Sequence, residues 1–250
     1  MNQPVWAQAF PGGVADADLQ HALVRSARGP LVALRLADGQ VLWRSGQALR
    51  PLLLGQGLVF GLALGAPIGT SSASAPAQAC VVALVLHEAG IERWRSAPLP
   101  WPEWAAQGGA PADSLAVQAG WLADRIVLRW RLQPLYRGGA APGPSRTKSP
   151  AAHGCCLLDA ASGALHGAPA GVDDFTVQAP PQEPCDDPCV MAQQVLGGVR
   201  YRLQQTPLPG VQPTEALHTT LTAHDPACGL DLWQCLLDDT PRKAPRALRS

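Results

Sequence analysis

A short unit ending in tryptophan recurs along this chain and constrains its fold more than any other feature. In each copy a glycine follows a strand-like segment, and a tryptophan follows four residues later. The three pairs are Gly39 with Trp43, Gly90 with Trp94, and Gly229 with Trp233. Because glycine supplies the positive φ angle that hairpin turns often need, each copy predicts two antiparallel strands joined at that glycine.

A fourth, degenerate copy has Gly163 at the turn but Gly167 where the tryptophan should stand. A large ring four residues after the turn can cover the neighbouring unit, so the repeat predicts a radial array in which aromatic rings pack one unit on the next. Replacing Trp43 or Trp94 with alanine should then lower the free energy of unfolding by about 3–5 kcal/mol.

The copies resemble PQQ-like (quinoprotein-type) β-propeller repeats, whose tryptophan-docking pattern runs Ala-x-Asp-x-x-Thr-Gly-Lys-x-x-Trp. The residues that fit the pattern are Ala33, Gly39 and Trp43 in the first copy, Gly90 and Trp94 in the second, Asp159, Ser162 and Gly163 in the third, and Ala223, Asp225, Gly229 and Trp233 in the fourth. In the first copy Arg35 and Asp38 replace the family's Asp and Thr.

This resemblance implies an all-β fold, a β-propeller of about four PQQ-like blades with long loop insertions, either small and closed or incomplete. We place the repeat units at roughly 18–48, 49–112, 113–170 and 190–240, within one domain over residues 1–240. Stretches rich in Gly, Pro, Ala and Ser at 65–79, 138–154 and 167–189 are expected to be flexible surface loops. The basic tail, 241–250, is expected to be disordered.

Other segments predict further local structure. The apolar run at 51–66 is interrupted by several glycines and predicts paired strands, not a membrane span. Within it, Gly55-Gln56-Gly57 is followed by Gly61, one residue later than the third glycine of a dinucleotide-binding loop, and no acidic residue lies about twenty residues downstream. The segment therefore predicts a β-turn. We also expect a short helix over 190–195.

Composition excludes some partners. Nineteen basic residues balance nineteen acidic ones, so no overall positive field favours binding to nucleic acid or to an anionic membrane.

Two features predict the cellular compartment. The N-terminus has neither the basic start nor the apolar stretch of an export signal, so we expect a cytoplasmic protein. The seven cysteines are an odd number, so we expect reduced thiols.

Two cysteine groups offer soft ligands for a metal. Cys155 and Cys156 are adjacent, and Cys185 and Cys189 bracket an Asp-Asp-Pro segment. Together they predict a zinc site, and the alternative is free thiols in a turn and in a strand. The resemblance adds a third interpretation, because some PQQ alcohol dehydrogenases carry an adjacent-cysteine disulfide beside the quinone.

The densest aromatic patch contains Trp94, Trp101 and Trp104 with several prolines. Aromatic, charge-poor loops are typical of interaction hot spots, so this patch predicts a protein-binding surface. The alternative is that the segment folds back and caps a blade.

We therefore expect a non-catalytic protein-interaction scaffold without a cofactor, since no histidine lies in a hydrolase-type nucleophile motif. The alternative is a quinone- or zinc-dependent enzyme with its site on the propeller face or in the cysteine-rich loops. Some propellers that this chain resembles act with an AAA+ ATPase of MoxR type and a von Willebrand A-domain protein, which implies such a partner here.

Overall fold

The computed structural model describes residues 3–25, 29–65, 78–100, 115–132, 152–167, 187–207 and 217–238. Its regular structure consists of eighteen strands in four antiparallel sheets. This confirms the predicted all-β fold with four blade-like units. No helix in the described part of the chain is long and apolar enough to span a membrane.

The N-terminal strand is β1 (Val5–Trp6), which joins a sheet formed much later in the chain. The first half of the chain then forms two sheets. Sheet I contains Gln8–Phe10 (β2), Gly13–Ala15 (β3), His21–Arg25 (β4), Leu31–Arg35 (β5) and Val41–Ser45 (β6). Sheet II contains Leu49–Gly55 (β7), Leu58–Gly65 (β8), Gln78–Val85 (β9) and Glu92–Arg95 (β10).

The second half forms two more sheets, each an up-and-down meander in chain order. Sheet III contains Leu115–Leu122 (β11), Arg125–Leu132 (β12), Ala152–Asp159 (β13) and Leu165–His166 (β14), with β1 paired to the free edge of β11. Sheet IV contains Val190–Leu196 (β15), Val199–Pro207 (β16), Leu217–Asp225 (β17) and Leu230–Asp238 (β18).

Tight glycine turns set the register of several hairpins. Gln56 and Gly57 join β7 to β8 with φ angles of 54° and 73°, a two-residue turn with positive φ at both positions. The predicted strand pair within 51–66 and its β-turn are therefore confirmed.

The helix predicted over 190–195 is wrong, because this segment is β15. Gly197 and Gly198, with φ angles of 56° and 83°, form a two-residue turn that pairs Leu196 with Val199 and Val195 with Arg200. A Gly-Gly dipeptide is a strong hairpin signal, and here it outweighs the weak helical periodicity of the residues before it.

The sheets also extend beyond three predicted boundaries. The predicted 65–79 loop contains the last residue of β8, Gly65, and the first two of β9, which begins at Gln78. Strands β2 and β3 precede residue 18, where the first unit was predicted to begin; they are only three residues each and too short to show alternation. Strand β13 begins at residue 152, inside the predicted 138–154 insertion, since it pairs with the whole of β12. The predicted tail at 241–250 lies outside the described residues.

The order of the sheets follows from which faces they bury. In sheet I, Val32 and Leu34 pack against sheet IV, whereas Leu31 and Ala33 pack against sheet II. Side chains alternate between the two faces of a strand, so the first four residues of β5 are all apolar because both faces of the strand are covered there.

Sheet II is covered on both faces in the same way, with Val82 and Leu84 toward sheet I and Val81 and Ala83 toward sheet III. Sheets III and IV each contribute to a single apolar cluster. The described residues thus form an open arc in the order IV, I, II, III, with no apolar cluster between sheets III and IV. Of the two predicted forms, closed or incomplete, the structure shows the one that is not closed.

Candidate functional site

Three tryptophans connect consecutive sheets of the arc. Each indole N–H donates to a backbone carbonyl in the turn of the next sheet. The bonds run from Trp233 to Leu36 at 2.8 Å, from Trp43 to Leu86 at 2.6 Å and from Trp94 to Ala160 at 3.0 Å. The sheets are therefore joined IV to I, I to II, and II to III by the same contact.

A glycine underlies each of these indoles. Gly39, Gly90 and Gly163 have φ angles of 70°, 69° and 74°. A Cβ added at Gly39 would lie 2.5 Å from the ring of Trp233, and one added at Gly90 would lie 3.0 Å from the ring of Trp43. A Cβ at Gly163 would overlap Trp94. These glycines therefore provide both the turn conformation and the space for the ring.

The turn of sheet IV differs from the other three. Gly229 has the same conformation, with φ 75°, but no described residue lies within 4 Å of the position where its Cβ would stand. The strand that would supply the ring, β14, has two residues, and Gly167 follows it in the place of the tryptophan. In the described part of the chain, the repeated contact is thus made three times and is missing between sheets III and IV.

Sheet IV also carries most of the exposed apolar side chains. Among the described residues, five of the seven large apolar side chains that are exposed lie on this sheet: Met191, Val195, Leu230, Leu232 and Leu236. Leu230 is 64% exposed and Leu232 is 53% exposed. Met191 and Val195 lie on one edge strand, β15, and the three leucines lie on the opposite edge strand, β18. The three leucines mark the β18 edge as a candidate interaction surface.

The face of sheet IV directed away from sheet I is otherwise polar and basic. Paired residues share a face, and the register places Arg200 beside His224 and Arg202 beside Thr222. His224 Nδ1 lies 3.0 Å from the carboxylate of Asp231. An acidic partner would complement this face better than a basic one.

A second candidate site is a cleft of about 230 Å³ between the N-terminal segment and the turns of sheets I and II. Asp16 accepts hydrogen bonds from the backbone N–H of Gln20 at 2.7 Å and of His21 at 3.1 Å, and its other oxygen lies 3.1 Å from His21 Nδ1. The ring of His87 stands edge-on to that of His21 at 5.5 Å. The hydrogen bonds of Asp16 brace the turn between β3 and β4.

No spacing motif in the sequence identifies this cleft. Asp16 and His21 flank one hairpin, whereas His87 comes from the turn of another sheet. The residues that line the cleft in the described part of the chain include no Ser, Thr, Cys or Lys side chain that could act as a nucleophile.

Three of the four predicted zinc ligands, Cys155, Cys156 and Cys189, lie among the described residues. Cys155 and Cys156 lie on opposite faces of β13, since Cys156 pairs with Leu128 in the core and Cys155 pairs with Arg129. Cys189 precedes sheet IV, and Cys185 lies outside the described residues. Among the described residues, no three His, Cys, Asp or Glu side chains are close enough to hold a metal ion.

Burial raises the pKa of Cys156 to about 12, with a further contribution from Cys155. At pH 8 it should therefore be far less reactive toward iodoacetamide than Cys228, which is exposed. Peptide-resolved mass spectrometry of briefly alkylated native protein checks this, with fully unfolded protein as the control in which both thiols react. Equal labelling of the two thiols in the native protein would contradict the burial of Cys156.

The predicted aromatic patch is only partly described. Trp94 packs in the junction of sheets II and III, with its ring 5.7 Å from that of Phe60. Trp101 and Trp104 lie outside the described residues. The segment that precedes them runs alongside β9. The N–H groups of Ser96 and Leu99 donate to the carbonyls of Val81 and Ala79 in β9, at 2.8 Å each.

Comparison with known proteins identifies no family. No family model and no curated protein matches the chain. Among solved structures, BamB from Moraxella catarrhalis aligns over 91% of this chain at 13% identity, with a TM-score of 0.35. The chain spans only 63% of the length of that protein. The computationally designed protein Ika8 aligns over 97% of this chain and 92% of its own, at 10% identity and a TM-score of 0.17. The fold described above therefore rests on the sheet topology and tryptophan contacts of the chain itself.

Proposed function

We propose that this chain is a non-catalytic protein-interaction scaffold that binds its partner at the open end formed by sheet IV. The observation that carries the proposal is the exposure of Leu230 and Leu232 on sheet IV. Among the described residues, no indole covers the turn of this sheet, whereas one covers the turn of each other sheet. A partner that covers these side chains would complete the packing that the other sheets obtain within the chain.

Burial of each leucine would stabilise the complex by about 1.5–3 kcal/mol before the costs of association. Arg202 on the same sheet adds a preference for a partner with acidic residues around its apolar centre. The partner is expected in the cytoplasm, and the resemblance to PQQ-like repeats makes an AAA+ ATPase of MoxR type and a von Willebrand A-domain protein the first to test.

Replacing Leu230 with Asp is expected to reduce recovery of the partner at least tenfold, because a buried charge at a central contact is strongly unfavourable. The measurement is affinity purification of the tagged full chain from its source cell, with quantitative mass spectrometry of bound proteins. Ile91→Asp is the matched control: Ile91 also follows a turn glycine and is 59% exposed, but it lies on sheet II.

A partner that Leu230→Asp releases and Ile91→Asp retains supports the proposal. Equal recovery with both variants would show that sheet IV is not the binding surface. Elemental analysis of the same eluate tests the alternative function, since stoichiometric zinc or a bound quinone without a protein partner would contradict the scaffold.

A further inference from the structure

The turn of sheet IV has the same backbone structure as the turns of sheets I and III. In all three, the glycine N–H donates to the carbonyl four residues before it. These bonds run from Gly39 to Arg35 at 3.0 Å, from Gly163 to Asp159 at 2.8 Å and from Gly229 to Asp225 at 2.9 Å. Asp225 further braces its turn by accepting a hydrogen bond from the N–H of Ala227 at 2.8 Å.

The carbonyl that accepts the indole N–H also has a counterpart in sheet IV. In sheets I and III the acceptor is the residue three positions before the glycine, Leu36 or Ala160. Both residues are buried beneath the ring that covers them. The residue in the same position of sheet IV is Pro226, which is exposed.

We infer that the turn at 225–229 is a socket for a tryptophan side chain supplied by the protein partner. The indole N–H donates to the carbonyl of Pro226, and the ring lies on Gly229, between Cys228 and Leu230. The inference deepens the proposed function and rests on it for the existence of a partner. Its basis is the chain's own chemistry, because the glycine turns of sheets I and III share this carbonyl arrangement and each holds an indole. The turn of sheet II also holds an indole over its glycine, with the acceptor carbonyl one residue earlier.

The six described tryptophans of the chain are not available to fill this socket. Trp43, Trp94 and Trp233 occupy the three other turns. Trp121 donates to the carbonyl of Leu54 at 3.1 Å, and Trp6 lies beneath the guanidinium of Arg129 at 4.1 Å. Trp130 is buried in the core of sheets II and III. A second copy of this chain would hold these six rings in the same places.

The test is a titration of the isotopically labelled full chain with a synthetic peptide, acetyl-Gly-Ile-Glu-Arg-Trp-Arg-Ser-amide, followed by NMR. The peptide copies residues 90–96, which present an indole to a socket within the chain. We expect saturable shifts of the Ala227, Cys228 and Gly229 amides. The same peptide with alanine for tryptophan should bind at least about tenfold more weakly.

Gly229→Asn is expected to abolish these shifts. Asparagine tolerates a positive φ, so the turn is kept while the new side chain occupies the place of the ring. Gly198→Asn is the matched control, since Gly198 also has a positive φ of 83° with nothing within 4 Å and lies at another turn of sheet IV. Thermal unfolding of both variants verifies that they remain folded.

Three results would overturn the inference. The first is equal binding of the two peptides, and the second is unchanged peptide binding to the Gly229→Asn variant. The third is stronger peptide binding after Trp101→Phe and Trp104→Phe, because it would show that the chain's own tryptophans compete for the socket.

Capture experiments separate this inference from the proposed function. If Leu230→Asp releases the partner and Gly229→Asn does not, the scaffold stands and the indole socket fails. If the peptide binds as expected but no protein is captured, the socket stands and the scaffold fails.

Discussion

Replacing Trp43 with alanine is expected to lower the free energy of unfolding by about 3–5 kcal/mol. The side chain is 6% exposed and belongs to the apolar cluster shared by sheets I and II. Its removal would open a cavity at that junction and leave the buried carbonyl of Leu86 without its 2.6 Å hydrogen bond. Urea unfolding followed by far-UV circular dichroism measures the change.

Trp43→Phe separates the ring from its N–H group. Phenylalanine keeps most of the apolar contact with Gly90 but cannot donate to Leu86, so we expect a smaller loss of about 1–3 kcal/mol. A loss below about 1 kcal/mol for Trp43→Ala would mean that this indole does not hold the two sheets together.

The second large effect is expected at a glycine. Gly163→Ala should lower the free energy of unfolding by about 2–4 kcal/mol, which combines the cost of a positive φ for alanine with displacement of the Trp94 ring. The new methyl group would overlap the ring and pull its N–H away from the carbonyl of Ala160.

Gly57→Ala is the control for the backbone contribution. Gly57 has a φ of 73°, nearly that of Gly163, but its Cβ position is open. We expect it to cost about 1–2 kcal/mol from the backbone alone. If both variants lose the same stability, the ring of Trp94 does not depend on the absence of a side chain at residue 163.

The distribution of these contacts explains why the sheets differ. Sheets I and II are covered on both faces, and their central strands are correspondingly apolar, as in Leu31–Arg35 and Gln78–Val85. In the described part of the chain, sheet IV is covered by another sheet on one face only, and the other face carries Arg200, Arg202 and His224. Those polar side chains suit a face in contact with water, and Leu230 and Leu232 are exposed on the same sheet.

Local chemistry was sufficient to predict most of the strands. Turn glycines with positive φ, at residues 39, 90, 163 and 229, mark hairpins whose conformation depends on a few neighbouring residues. Alternating apolar residues mark the strands on either side. The local signal was too short in β2 and β3, and it was contradictory in β15. The prediction failed there because pairing with a neighbouring strand determines the structure of these segments.

Most of the hairpins, the all-β class and the number of units could thus be predicted from local sequence patterns, because each depends on residues close together in the chain. The packing of sheet IV on sheet I through Trp233 and Leu36 could not, since sheet III precedes sheet IV in sequence. Only the tertiary structure brought Asp16 and His21 to the same cleft as His87. These arrangements depend on which apolar faces meet across nearly the whole chain, and such long-range choices leave no spacing pattern in the sequence.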